Sequence, residues 1–153
     1  MRKIVAVIGY KKSGKTGLIE RLVKDLTIMG YKVAVIKHIH HGDFEVDIKG
    51  KDTWRFKEAG AVAVAGVSNR RLYINISLDN YPDINSVIDM IGEHDIIFLE
   101  GFKDIVGHRK DIYKVLVGDP SLESIVEEPI LGVYLGESDY QRTLNSIINI
   151  LKT

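Results

Sequence analysis

Ile4-Val5-Ala6-Val7-Ile8-Gly9-Tyr10-Lys11-Lys12-Ser13-Gly14-Lys15-Thr16 is the stretch on which the fold turns. Ile4 to Ile8 is continuously apolar and rich in β-branched residues, the pattern of a strand buried on both faces. Gly9 to Thr16 then matches G-x-x-x-x-G-K-[ST] without a gap. Glycines at these points let backbone N–H groups turn inward as an anion nest at a helix N-terminus. The spacing therefore predicts that Gly9, Tyr10, Lys11, Lys12, Ser13, Gly14, Lys15 and Thr16 wrap phosphates. In such a loop Lys15 bridges the β- and γ-phosphates and the Thr16 hydroxyl joins a Mg²⁺ shell. Gly17 stands where many such loops carry a second hydroxyl, so an α-phosphate contact from its side chain is lost. Lys11 and Lys12 either add charge beside the phosphates or are solvated loop lysines.

Working outward, Leu18, Ile19, Leu22, Val23 and Leu26 recur at helical spacing, and Gly30 supplies a stop. Lys32 to Lys37 reads as a second buried strand, so the unit is a right-handed parallel crossover. A polar stretch from His38 to Lys51 follows, then a short helix from Asp52 to Ala59. Ala61–Val67 and Arg71–Ile76 read as close-set strands, which would make part of the sheet antiparallel. Ile84, Val87, Ile88 and Ile91 mark one helical face. Ile96–Leu99 is a central strand, and Ile112–Val117 and Ile130–Leu135 complete the set. Tyr140, Leu144, Ile147, Ile148 and Leu151 form the stripe of a last helix, with Ser138 and Gln141 spaced as a capping box. Alternating strands and helices predict one α/β domain over residues 1–153, a three-layer α/β/α sandwich with a mostly parallel sheet.

Composition bounds what such a domain can do. The 153 residues carry 21 basic and 21 acidic side chains and no cysteine. Disulfides, thiolate metal sites and cysteine nucleophiles are thereby excluded. The charge balance argues against a nucleic-acid footprint or a polybasic membrane anchor. No apolar run approaches the roughly 20 residues of a membrane span. The first residues do not read as a signal peptide, and a cytoplasmic location is expected.

Two further regions carry chemistry. Ile96-Ile97-Phe98-Leu99-Glu100-Gly101 delivers a carboxylate from the end of a buried strand. A charge there is costly unless paired or near a metal, so Glu100 reads as the acid that organises metal or water. Asp95, at the other end of that strand, reads as structural. His38, His40 and His41 with Asp43 and Asp47 resemble a metal cluster, but their spacing fits no closed zinc site. A switch-like segment suits them better, with Asp43, Asp47 or Asp52 reaching Mg²⁺ through water. Trp54 and Phe56 read as core or interface residues.

Together these blocks resemble the molybdopterin-guanine dinucleotide biosynthesis protein B (MobB) family. The resemblance runs through Gly9–Thr16, Val35-Ile36-Lys37-His38 with His40-His41, Gly50-Lys51-Asp52-Thr53-Trp54, Ala59-Gly60-Ala61, and Asp95 to Lys103 as D-I-I-F-L-E-G-F-K. It implies a homodimeric GTP-binding P-loop protein that assists the guanylyltransferase of molybdenum-cofactor maturation, with weak GTPase activity at most. By position, Glu100 and Gly101 would stand at the Walker B-like place, and Lys37-His38 through Asp52 would line the site. Gly17, the segment Asp104–Lys110 and Gly118-Asp119 depart from the family's usual pattern.

The expectation is thus a GTP- and Mg²⁺-binding adapter. Lys15 and Glu100 are its catalytic candidates, and Thr16, Glu100 and Asp52 its metal-side candidates. Arg70, Arg71 and Arg109 are candidate fingers across a dimer. Guanine preference comes from the resemblance, since no N-K-x-D motif is present. The rival readings are a small-molecule or nucleotide kinase with Lys103–Lys110 as its lid, and a module that binds nucleotide without catalysis.

Overall fold

In a computed structural model, which describes residues 2–42 and 44–153, the opening apolar run forms β1 (Lys3–Gly9). The loop then leads into α1 (Lys15–Ile28) and β2 (Val33–Lys37). After these come α2 (Asp52–Glu58), β3 (Ala63–Val67), β4 (Leu72–Ile76), α3 (Ile84–Met90) and β5 (Ile96–Glu100). The remaining elements are α4 (Lys103–Val106), β6 (Tyr113–Val117), β7 (Ile130–Tyr134) and α5 (Tyr140–Leu151). Two compact units result: one up to His38 together with Ile88–Thr153, the other Ile39–Val87.

The first unit is built on a five-stranded sheet of order β2-β5-β1-β6-β7. Every pairing in it is parallel. Val5 to Ile8 are fully buried because β1 is central and covered on both faces. Val5, Val7 and Phe98 on one face pack with Leu22 and Leu26 of α1 and Leu144 of α5. Strand alternation turns Ala6, Ile8, Ile97 and Leu99 to the other face, and these are buried too, with α4 against β1. That is the expected three-layer, mostly parallel arrangement. Gly30, at φ 92°, ends α1 in a Schellman turn: Tyr31 N–H donates to Leu26 O at 3.1 Å and Gly30 N–H to Thr27 O at 3.0 Å.

Some details differ from the sequence reading. β2 lies at the sheet edge and is only partly buried, with Val35 exposed, because an edge strand has a neighbour on one side only. The antiparallel strands do not enter the main sheet. β3 and β4 pair with each other in the second unit, from Ala63 opposite Ile76 to Val67 opposite Leu72. The Ser138–Gln141 capping box does not form: Ser138 sits in a 3₁₀ turn and α5 starts at Tyr140 without a side-chain cap. Neither Trp54 nor Phe56 is a core residue, since α2 buries none of its side chains and Phe56 is exposed. Lys114, on β6, is fully buried, and its ammonium donates to the carbonyls of Arg109 and Glu128. Those bonds give a desolvated charge its partners, while burial holds its pKa below the ordinary lysine value.

Candidate phosphate site

β1 delivers Gly9 to the carboxyl end of the sheet, where the chain must reverse tightly to enter α1. Ser13 N–H closes the turn on Tyr10 O at 3.2 Å, and Lys12 and Gly14 adopt left-handed φ values of 60° and 98°. Gly9 has no room for a side chain: a Cβ there would lie 2.5 Å from Ser13 Oγ and 2.6 Å from Val117 O. Gly118, just past β6, supports the loop from behind, where a Cβ would meet Ser13 Cβ at 3.1 Å and φ is 82°. The sequence marked Gly118 only as a departure from the family pattern. Its role arises from β6 lying beside β1, which no local signal reports.

α1 is capped by Gly14 without a side-chain hydrogen bond, and its first turn holds no acid. Its leading N–H groups and positive dipole end are therefore directed at the loop rather than spent on a carboxylate. Lys15 Nζ donates to Gly9 O at 2.9 Å and to Tyr10 O at 2.6 Å, with Ser13 Oγ at 3.5 Å. Its pKa is lowered, first by burial; Glu100 opposes that shift and Lys37 adds to it. Lys11 and Lys12 are exposed.

Glu100 ends β5 beside this turn and is 9% exposed. Gly101 N–H donates to Val7 O at 3.0 Å, and His38 N–H to Glu100 O at 3.0 Å. Thr16 Oγ1 donates to Glu100 Oε1 at 2.7 Å, and Lys37 Nζ stands 3.4 Å from the same oxygen. A hydroxyl and a carboxylate joined at a phosphate loop are hard oxygen donors of the kind Mg²⁺ takes, alongside its waters. Gly101 and Phe102, both left-handed at φ 86° and 63°, turn the chain away, and the His38 ring stacks on Phe102 with centroids 4.9 Å apart. Lys103 Nζ lies 5.6 Å from the Tyr10 ring.

The first unit thus gathers Gly9 to Gly17, Glu100 and Gly101. Asp52 heads α2 in the second unit, and Asp47 there accepts bonds from Thr53 Oγ1 and its neighbour Ile48 N–H. Asp43 lies outside the described residues, among which no group of three or more His, Cys, Asp or Glu forms a metal cluster. Arg109 pairs with Asp111, and Val106, inside the segment read as a kinase lid, is fully buried. In the sequence Lys37 is a lining residue by resemblance only; its approach to Glu100 comes from strand pairing, Lys37 opposite Glu100.

The pattern of the family described as "Molybdopterin guanine dinucleotide synthesis protein B" (MobB) matches residues 4–133. The chain belongs to that family. A MobB-family relative from Haemophilus influenzae, a molybdopterin-guanine dinucleotide biosynthesis adapter protein, is 34% identical over 120 residues. That match covers 74% of this chain and 67% of the relative. A putative adapter protein of the same name from Methanocaldococcus jannaschii is 29% identical over 153 residues, covering 97% of this chain and 60% of that one. The chain therefore spans about two thirds or less of those two relatives' lengths. The crystal structure of Bacillus subtilis MobB superposes with a TM-score of 0.69 at 25% identity, over 89% of this chain and 82% of that one. The MobB assignment and the local geometry agree on the P-loop fold.

In this MobB-family chain, the glycines at the start of the loop and in the first turn of α1 are expected to behave oppositely. Gly9→Ala should lower stability by about 1–3 kcal/mol, because the Val117 carbonyl it would strike is backbone and cannot rotate away. Gly17→Ala meets nothing within 4 Å and should raise stability, by up to about 1 kcal/mol through helix propensity. Thermal melting of both variants measures the contrast.

Proposed function

We propose that this chain is a Mg²⁺-dependent GTP-binding adapter of molybdopterin guanine dinucleotide biosynthesis, acting in the cytoplasm beside the guanylyltransferase and turning GTP over slowly at most. The observation that carries this reading is the Thr16–Glu100 bond of 2.7 Å at the mouth of a phosphate loop. Gly9 to Gly17 bind and orient the phosphates through backbone N–H groups, and Lys15 exchanges its loop carbonyls for phosphate oxygens. Thr16 and Glu100 would hold Mg²⁺. The metal, when bound, neutralises charge on the phosphates. The guanine preference rests on the family and on the names of its relatives, not on a base-reading residue.

A homodimer belongs to the same proposal. Alternation in the β3–β4 hairpin places Ala63, Ala65, Val67, Leu72, Ile74 and Ile76 on one face, and all six are exposed. A two-stranded sheet is marginal on its own, so an open apolar face on one supports cover by a second copy.

Calorimetric titration with imido analogues of GTP and ATP, each with and without Mg²⁺, tests the reading. Guanine-selective, Mg²⁺-dependent binding is expected, and Glu100→Gln should weaken the Mg²⁺-dependent part by about tenfold, or 1.4 kcal/mol. ATP preference would favour the small-molecule kinase instead. Absence of binding to either would overturn the phosphate-site assignment.

A further inference from the structure

We propose that Lys37 is a second phosphate-binding cation of this site, held on Glu100 in the nucleotide-free protein and transferred to the terminal phosphate of a bound nucleoside triphosphate. This deepens the nucleotide-binding reading above and rests on it. The first reason is position. Lys37 is the last residue of β2 and pairs in register with Glu100, which itself pairs with Val7 of β1. Parallel pairing therefore brings Lys37, Glu100 and the end of β1 to the carboxyl end of the sheet, where the loop begins.

The second reason is how Lys37 is held. Its ammonium stands 3.4 Å from Glu100 Oε1, well beyond the roughly 2.7–2.9 Å of a tight charge-assisted bond. The same oxygen already accepts the Thr16 hydroxyl at 2.7 Å. The two partners also differ in burial: the Lys37 side chain is 54% exposed and that of Glu100 11%. Glu100 is thus the fixed member, and Lys37 is the mobile one, on a flexible four-carbon stem. Lys37 is a loosely held counter-ion rather than a locked structural bridge.

The third reason is charge. Lys37 pairs with Glu100, while Lys15, bonded to the loop carbonyls, feels the charges of both, Glu100 raising its pKa and Lys37 lowering it. A site with surplus positive charge and two ammoniums in mutual repulsion is relieved by a polyanion. A metal held beside Thr16 would give Glu100 another source of positive charge, freeing Lys37 to leave it. The terminal phosphate is then the anion best placed to take it, since it carries the most charge and Lys15, shared between the β- and γ-phosphates, meets only part of it.

Affinity measured for a triphosphate and a diphosphate side by side separates this role from mere neutralisation of Glu100. Wild type, Lys37→Ala and Lys37→Arg would be titrated in Mg²⁺ with the imidotriphosphates and the diphosphates of both guanosine and adenosine, so that base identity does not enter. Lys37→Ala is expected to weaken the preferred triphosphate by about tenfold or more and its diphosphate by less than about twofold. Lys37→Arg should retain most of the triphosphate affinity. The diphosphate value on the same sample reports whether the loop is still formed. Unchanged or tighter triphosphate binding by Lys37→Ala, or an equal loss for both ligands, would overturn the role of Lys37 while leaving the phosphate site standing. A wild-type protein that binds no triphosphate would overturn the site reading, and the Lys37 role with it.

Discussion

Lys15→Ala is expected to weaken triphosphate binding by about 100-fold, on the order of 3 kcal/mol, while the protein stays folded. The ammonium of Lys15 presently satisfies Gly9 O and Tyr10 O, so removing it costs the loop two bonds at a partly exposed place. Carbonyls there regain water, and the stability loss should stay near about 1 kcal/mol, or roughly 2–4 °C in the melting midpoint. The affinity loss is larger because nothing else on α1 replaces a charge between two phosphates. The pH dependence has a definite sign. Burial lowers the pKa of free Lys15, and phosphate binding raises it again, so binding takes up a proton where the free amine is part-neutral. Wild-type affinity should therefore fall as pH rises through that lowered pKa, and Lys15→Ala should lack this component. Titration calorimetry across alkaline pH reads both effects; an unchanged affinity in Lys15→Ala would remove the phosphate-loop assignment.

Phe98→Ala should be the most damaging change in the core. Phe98 is fully buried in β5, between Val5 of β1 and Val35 of β2. It also joins the cluster beneath α1 and α5. Removing the ring from an interior strand of a parallel sheet leaves a cavity that flanking strands cannot close, at about 3–5 kcal/mol. At roughly 2–4 °C per kcal/mol, the melting midpoint should fall on the order of 10 °C. Circular dichroism is the better probe, since the single tryptophan, Trp54, lies in the second unit. A loss under about 1 kcal/mol would show that the core around β5 is not where the first unit's stability lies. Because β5 ends in Glu100, the same variant should also loosen the carboxylate and weaken Mg²⁺-dependent binding.

Features that depend on neighbours along the chain could be read from the residues alone. The β1–loop–α1 unit was legible because a strand, a tight turn and an amphipathic helix each leave a local pattern, and Gly9 to Thr16 joins them without a gap. Glu100 was legible because an acid at the end of an apolar run is costly anywhere, so its position implies a partner before the partner is known. Even the Gly30 stop followed from local backbone freedom.

Which distant residues meet is set by strand order and packing. That β2 is an edge strand, and that β5 lies between it and β1, depends on strand order, to which local hydrophobic periodicity is blind. That order places Lys37 beside Glu100 and Gly118 behind Ser13. The separate β3–β4 sheet escaped for the same reason: alternation marks a strand but does not say which sheet takes it. The capping box failed through competition, as Asp139 Oδ2 accepts from Leu135 N–H and the 3₁₀ turn displaces Ser138 from the cap. Local rules specify conformations; pairing between segments far apart in sequence specifies the site, because parallel register aligns the carboxyl ends of strands the chain visits at widely separated times.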